Sequence, residues 1–326
     1  MIQDTFNRVH DYLRISLTDN CDLRCFYCMP EEEYAFTPNQ QLMQAEEIES
    51  IARIFVQEGV KKIRLTGGEP LVRKDFPQIL GRLSSLPVQL TLTTNGTRLH
   101  EMLPAIKAAG IQSINISLDT LQKDRFLLMT KRDRFNQVMS NIQLMLDNHI
   151  EVKVNMVVIK GINDSEIIDF INWTINTPVH VRFIEFMPFE RNQWNSEKVI
   201  TLHQILDTIS SVFPIQPLNR QPHETAKNYQ VPESMGTFAV ISTMSAPFCG
   251  DCNRMRLTAD GKMKNCLFST GETDLLTAFR KGENIIPLIH QNIFDKKEAL
   301  GGQLSTDMHI IETNQLTNRT MISIGG

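Results

Sequence analysis

The stretch Tyr-Leu-Arg-Ile-Ser-Leu-Thr-Asp-Asn-Cys-Asp-Leu-Arg-Cys-Phe-Tyr-Cys, residues 12–28, decides the fold. Tyr12 to Leu17 alternates with period two and predicts a strand that ends in the polar Thr18-Asp19-Asn20. Three cysteines then sit on the loop that follows. The strand–loop–helix rhythm repeats downstream. A helix pattern from about Ala45 to Glu58 ends at Gly59 and leads into a strand, Lys62 to Thr66. Residues 90–94 form the third strand, followed by a helix from about Leu99 to Ala109 that stops at Gly110, and residues 113–117 form the fourth. An apolar helix face from Val138 to Leu146 precedes strand 152–159, and a helix from Asp164 to Trp173 precedes strand 181–186. Alternation of this kind implies a parallel sheet with right-handed crossovers, whose functional edge lies at the strand C-terminal ends. Those ends carry Thr66-Gly67-Gly68-Glu69, Thr93-Thr94-Asn95, Ser117-Leu118-Asp119 and Glu185. Six units are two short of a closed barrel, so the predicted class is α/β: a partial, open, TIM-like (β/α)6 barrel with a smaller C-terminal domain.

The rhythm changes after about Ser196, where prolines gather at 214, 217, 222 and 232. This predicts a barrel over 1–210 and a second domain over 211–326. A strand-like run, 236–241, introduces three more cysteines.

The six cysteines fall into two triples with none left over: Cys21, Cys25 and Cys28, and Cys249, Cys252 and Cys266. Structural zinc and ordinary electron-transfer clusters want four protein ligands, and each triple is one short. His10 is the nearest histidine to the first triple, and Ser242 to Thr270 contains none. Three thiolates on a cubane leave one iron open, so both triples read as iron–sulfur clusters with a free coordination site.

Composition narrows the class. With 33 Lys and Arg against 37 Asp and Glu, the net charge of -4 gives no basic field for nucleic acid. No segment approaches the roughly 18 apolar residues of a membrane span, and Met1 to Ser16 lacks an unbroken apolar export core. These features predict an unexported, cytoplasmic chain that binds neither nucleic acid nor membrane, where clustered cysteines hold metal rather than disulfides.

Residues 13–30 and the Gly-Gly-Glu-Pro at 67–70 resemble the radical S-adenosylmethionine (SAM) enzymes. Residues 249–268 and the closing Gly325-Gly326 resemble, within that superfamily, the GTP 3′,8-cyclases of molybdenum cofactor biosynthesis. Where that family has Gly-Arg before the first strand, this chain has Asn7-Arg8.

The resemblance implies two 4Fe-4S clusters. The first, on Cys21, Cys25 and Cys28, would bind SAM and cleave it to a 5′-deoxyadenosyl radical; the second, on Cys249, Cys252 and Cys266, would hold guanine. Tyr27, Gly68, Glu69, Ser117 and Met187 match cofactor positions. Arg14, Arg64, Thr93, Lys153, Arg254, Met255 and Arg256 match GTP positions, and Arg14 and Arg182 match positions implicated in catalysis. Charged residues inside apolar strands are costly unless paired or turned into a polar interior, and helices cover the outer face of such a barrel. Arg14, Arg64, Lys153 and Arg182 should therefore point inward. The radical would take hydrogen from C3′ of GTP, whose carbon then attacks C8 to give 3′,8-cyclo-7,8-dihydro-GTP. A one-electron donor and a next pathway enzyme are implied as partners, and a homodimer stays open. Ile322 and Ile324 alternate like an anchoring strand that would carry the glycines into the barrel. Two alternatives compete: a peptide-modifying radical enzyme with an auxiliary cluster, and a non-catalytic iron–sulfur protein.

Overall fold

The first six strands follow the sequence closely. They are β1 (Tyr12–Ser16), β2 (Lys62–Thr66), β3 (Gln89–Thr94), β4 (Ser113–Ser117), β5 (Glu151–Val158) and β6 (Val179–Glu185), and they pair in parallel in that order. The structure is a computed structural model and describes residues 1–29, 34–305, 307–312 and 316–325. Connecting the strands are α1 (Ala45–Gln57), α2 (Phe76–Leu83), α3 (Leu99–Ala108), α4 (Lys123–Thr130), α5 (Phe135–Asp147) and α6 (Ile167–Asn176). The pattern Glu-Val-Lys-Val-Asn-Met-Val-Val in β5 shows how the layers form. Val152, Val154, Met156 and Val158 are fully buried in the apolar core, while Lys153 and Asn155 face the opposite side. Ile48, Ile51 and Phe55 of α1 are fully buried in the same core, at about 1.5–3 kcal/mol for each such side chain.

After α7 (Leu202–Ser210) the chain returns to this sheet rather than building another. It adds β7 (Gln216–Pro217), β8 (Lys227–Gln230), β9 (Thr237–Ile241), β10 (Arg254–Leu257), β11 (Lys262–Lys264) and β12 (Thr273–Asp274). Strand β9 lies parallel beside β6, and β10 lies parallel beside β1. The sheet order is β12-β11-β10-β1-β2-β3-β4-β5-β6-β9-β8-β7. The six barrel strands are thus flanked by a further parallel strand on each side, and the sheet stays open between β7 and β12. Helices α8 (Leu275–Arg280), α9 (Ile286–Phe294) and α10 (Met321–Ile324) complete the fold. No helix among the described residues is long and apolar enough to cross a membrane.

Two local readings need correction. Residues 321–324 form a helical turn, not an extended strand, because the buried pair Ile322 and Ile324 needs only two apolar contacts that a turn also supplies. Residues 164–166 are a separate 3-10 turn ahead of α6. The departure at Asn7 also has a physical account. Its φ is +62°, in the left-handed region where glycine is at ease and asparagine is among the best-tolerated substitutes.

Candidate functional site

The first triple sits where predicted, on the loop after β1. Neighbouring loops tie that loop down. Asp22 accepts hydrogen bonds from Asn95 Nδ2 and Thr97 Oγ1, both at 2.7 Å, and Gly68 N donates to Thr18 O at 2.6 Å. A Cβ on Gly68 would lie 2.5 Å from the Asn20 carbonyl oxygen, so only glycine admits this approach. Cys21 Sγ accepts from Leu23 N at 3.4 Å and from Asn95 Nδ2 at 3.7 Å. Cys25 and Cys28 lie in one tight turn in which Cys28 N and Met29 N both donate to Cys25 O. Burial, and then the Asp119 carboxylate, push both thiols up, Cys28 to about 12; burial and then Glu69 raise Cys21.

Of the positions expected to meet the cofactor, two have side chains turned into the protein. Glu69 is buried and accepts from Leu71 N, Thr94 Oγ1 and Asn95 N at 2.6–3.0 Å, so its carboxylate braces the loops after β2 and β3. Burial raises it to about 7 against those donors. Tyr27 Oη donates to Asp119 Oδ2 at 2.5 Å, while Val157 N donates to Asp119 Oδ1. Glu185 likewise braces backbone, accepting from Leu202 N, Met244 N and Ser245 N. Ser117 ends β4 opposite Asn155, and the Met187 carbonyl is fixed by Asn192 Nδ2 at 2.8 Å.

The cations converge. Arg14, Arg64, Lys153, Arg182, Arg254 and Arg256 line one cavity of about 480 Å³ together with Cys249, Cys252, Cys266 and Met187. Register explains the convergence: Arg14 pairs with Arg64 on one side and with Arg256 on the other, so three guanidinium groups share one inward-facing row. Like charges side by side on a sheet oppose one another. Burial and then neighbouring cations lower Arg182 to about 9; burial lowers Arg14 to about 10 even though Tyr12 counters its cationic neighbours. Asn115 Oδ1, Asn155 Oδ1 and Arg182 Nε are buried with no hydrogen-bond partner among the described residues, so this wall has polar groups to offer a bound molecule. Thr93 does not line the cavity; its Oγ1 accepts from Arg64 Nη1 at 3.2 Å and orients that guanidinium. Met255 points the other way, into the apolar core between Arg254 and Arg256, as strand alternation demands.

The second triple borders the cavity directly. Cys249 Sγ accepts from Leu300 N at 3.5 Å. Cys252 Sγ accepts from Arg254 Nη2 at 3.4 Å and Lys296 Nζ at 3.7 Å. Burial would raise the Cys252 thiol, but Arg254 and Lys296 hold it at about 6. All six cysteines are free thiols. Each triple offers three free thiols, with N–H donors aimed at Cys21 in the first and at Cys249 and Cys252 in the second. That donor chemistry fits an iron–sulfur cluster, whose thiolates commonly accept such hydrogen bonds.

One apolar cluster links the aromatic pair between Cys25 and Cys28 to the second triple: Phe26, Tyr27, Met187, Cys249, Cys266 and Ile324 all belong to it, while Cys21 and Cys25 pack against the main core. Ile324 leads to Gly325, whose carbonyl accepts from Arg256 Nη1 at 2.7 Å. Gly325 adopts φ +83°, and a Cβ there would stand 2.7 Å from Thr66 Oγ1 and 2.8 Å from Ser16 Cβ, at the C-terminal ends of β2 and β1. Gly326 lies outside the described residues. Sequence reading missed several cavity residues, including four on the strands of the barrel. Tyr12, Asn115 and Asn155 have inward strand positions but no charge to advertise them, and His180 is half-buried, with Nδ1 2.7 Å from Thr237 Oγ1.

Residues 15–174 match the Radical SAM superfamily, and residues 179–301 match Molybdenum Cofactor Synthesis C. The chain is 44% identical over 333 residues to the mitochondrial GTP 3′,8-cyclase of Arabidopsis thaliana, covering 100% of this chain and 84% of that one. To the GTP 3′,8-cyclase of Pelotomaculum thermopropionicum it is 40% identical over 335 residues, covering 100% of both. Mouse molybdenum cofactor biosynthesis protein 1 is 44% identical over 331 residues, covering 99% of this chain; the chain spans 51% of the length of that relative. The fold resembles that of Streptococcus suis SuiB bound to S-adenosylmethionine, with a TM-score of 0.59 at 16% identity over 89% of this chain and 69% of that one.

Proposed function

The chain belongs to the GTP 3′,8-cyclase family of the radical SAM superfamily, and on that footing we propose that it converts GTP to 3′,8-cyclo-7,8-dihydro-GTP. The superfamily uses a 4Fe-4S cluster and SAM. Cys21, Cys25 and Cys28 would hold that cluster, and Cys249, Cys252 and Cys266 a second one with an iron open to guanine. When bound, the first cluster and SAM supply a one-electron cleavage that delivers a carbon radical able to take hydrogen from a ribose C–H.

The chain's own residues do the rest. Arg14, Arg64, Lys153, Arg182, Arg254 and Arg256 bind a triphosphate, and Thr93 acts through Arg64. Charge-assisted contacts of this kind contribute about 1.5–3 kcal/mol each. The Glu69 brace and the Gly68 contact fix the first loop; the apolar cluster around Phe26 and Ile324 packs against Cys249 and Cys266. In this reading residues 1–210 carry the SAM machinery and 211–326 the guanine side. A one-electron donor and an enzyme that accepts the cyclised nucleotide complete the reaction's partners. The observation that carries the proposal is the cavity itself, which a row of three arginines at paired strand positions lines together with three free thiols.

The test is anaerobic incubation of the reconstituted protein with reductant, SAM and GTP. The expected result is one 5′-deoxyadenosine per nucleotide consumed and a product with the mass of GTP. SAM cleavage with GTP left unchanged would overturn the assignment and favour a different substrate class.

The tail gives a sharper check. Gly325→Val places branched carbons against Ser16 and Thr66 and strains a left-handed residue, displacing the carbonyl that orients Arg256. Product formation should fall at least tenfold, about 1.4 kcal/mol of transition-state stabilisation, with iron content unchanged. Full turnover would show that Gly325 does not organise the site.

A further inference from the structure

One buried arginine beside the second triple has no part in the reaction described above. Residues 2–10 form a tight hairpin, with Gln3 bridged to Val9 and His10 N donating to Ile2 O at 2.8 Å. Inside it lies a buried triad. Asp4 Oδ2 accepts from Arg8 Nε at 2.6 Å and lies 3.0 Å from His10 Nε2, while Asp4 Oδ1 accepts from Phe6 N and Arg8 N. Asp4, Arg8 and His10 are 5%, 8% and 1% exposed. The far end of the guanidinium leaves the hairpin. Nη1 donates to Cys249 O at 2.8 Å and to Glu298 O at 2.6 Å, and Nη2 donates to Lys297 O at 3.0 Å.

Those three carbonyls belong to the two backbone stretches that surround the second triple. One carries Cys249 itself. The other, residues 296–300, supplies Leu300 N to Cys249 Sγ and Lys296 Nζ to Cys252 Sγ. Arg8 borders the cavity, yet four of its five N–H donors are spent on Asp4 and these carbonyls, which makes it a poor triphosphate ligand. A rigid fork that spans two chain segments fixes the gap between them.

We propose that Arg8 is a positioning residue for the second iron–sulfur cluster: by clasping Cys249 to residues 297–298 it sets the hydrogen bonds from Leu300 and Lys296 to the cluster's sulfurs. This rests on the reading that the second triple holds a cluster. Hydrogen bonds to cluster sulfurs and nearby positive charge raise the reduction potential and hold the thiolates in place. Asp4 serves the clasp by neutralising Arg8 and aiming its Nε edge.

The experiment compares wild type, Arg8→Lys, Arg8→Ala and Asp4→Asn, each the full chain reconstituted with iron and sulfide. Its readouts are the rate of iron removal by a chelator and the reduction potential of each cluster. Lysine keeps the charge but cannot reach three carbonyls. Both Arg8 variants should therefore lose iron from the second site at least tenfold faster than wild type, and its potential should fall. Asp4→Asn should lie between. The cluster on Cys21, Cys25 and Cys28 serves as the internal control and should keep its wild-type rate and potential in every variant. Equal acceleration at both clusters would reduce Arg8 to general stability and overturn the proposal. So would unchanged lability and potential at the second site. If wild type itself holds iron for one cluster only, the reading of the second triple fails first and the proposal falls with it.

Discussion

A Cys25→Ala protein is expected to purify folded, to lack the iron of one cluster, and to form no 5′-deoxyadenosine from SAM under reducing conditions. The argument begins with what the substitution leaves intact. The turn that carries the triple is held by Cys28 N and Met29 N donating to the Cys25 carbonyl, which alanine retains. Trimming one half-buried sulfur costs on the order of 1 kcal/mol, too little to unfold a core of this size. What is lost is one of three sulfurs, in a loop whose other donors, Cys21 and Cys28, have no cysteine or histidine nearby in sequence to replace it. Two sulfurs do not retain a cluster against solvent and oxygen, and without it no electron reaches the sulfonium. Melting temperature, iron count and chromatography of the SAM products would check the three parts separately. SAM cleavage at the wild-type rate would refute the assignment of this loop.

For Cys252→Ala the expected pattern is the opposite split. The first cluster should stay and SAM should still be cleaved slowly without coupling, but GTP conversion should disappear. Cys252 is the thiol that Arg254 and Lys296 hold at about 6 against burial. Its removal takes away the thiol to which Arg254 and Lys296 both donate, at a cost of about 1–3 kcal/mol to the protein without its clusters. Nothing in that change touches the loops around Cys21, Cys25 and Cys28. Loss of SAM cleavage with normal GTP binding would instead make the second triple an electron relay.

The sequence made some of this legible for physical reasons and hid the rest for others. Strands β1 to β6 announce themselves because one face is apolar at every second residue, and the inward turn of Arg14, Arg64, Lys153 and Arg182 follows from the same alternation. Helices α2 and α4 do not, since each is only 8 residues long; α2 contains Pro77 and Gly81, and α4 buries only Phe126, Met129 and Thr130. The pairing of β10 with β1 was equally hidden. Arg254-Met255-Arg256-Leu257 reads locally as part of a cysteine motif, and only the register Arg14 to Arg256 shows that its arginines continue the same cationic row. Glu69 and Glu185 lie at strand ends as catalytic groups do, but their hydrogen bonds to backbone show them to be braces. Tyr12 gave no signal. Burial alone would raise its phenol, yet Arg64, Arg14 and Lys62 draw it down to about 7, making it a balancing oxygen within the cation cluster.

Strand β10 also governs how the molecule is made. Asn253, just before it, donates to Asp11, just before β1, across 242 residues of chain. During synthesis at about 5–20 residues per second, the outer edge of β1 stays without its neighbour for roughly 12–50 s. An unpaired strand edge is a template for another chain. The nascent protein therefore passes through a period in which its first cysteine loop adjoins an unpaired strand edge, until β10 arrives to cover it.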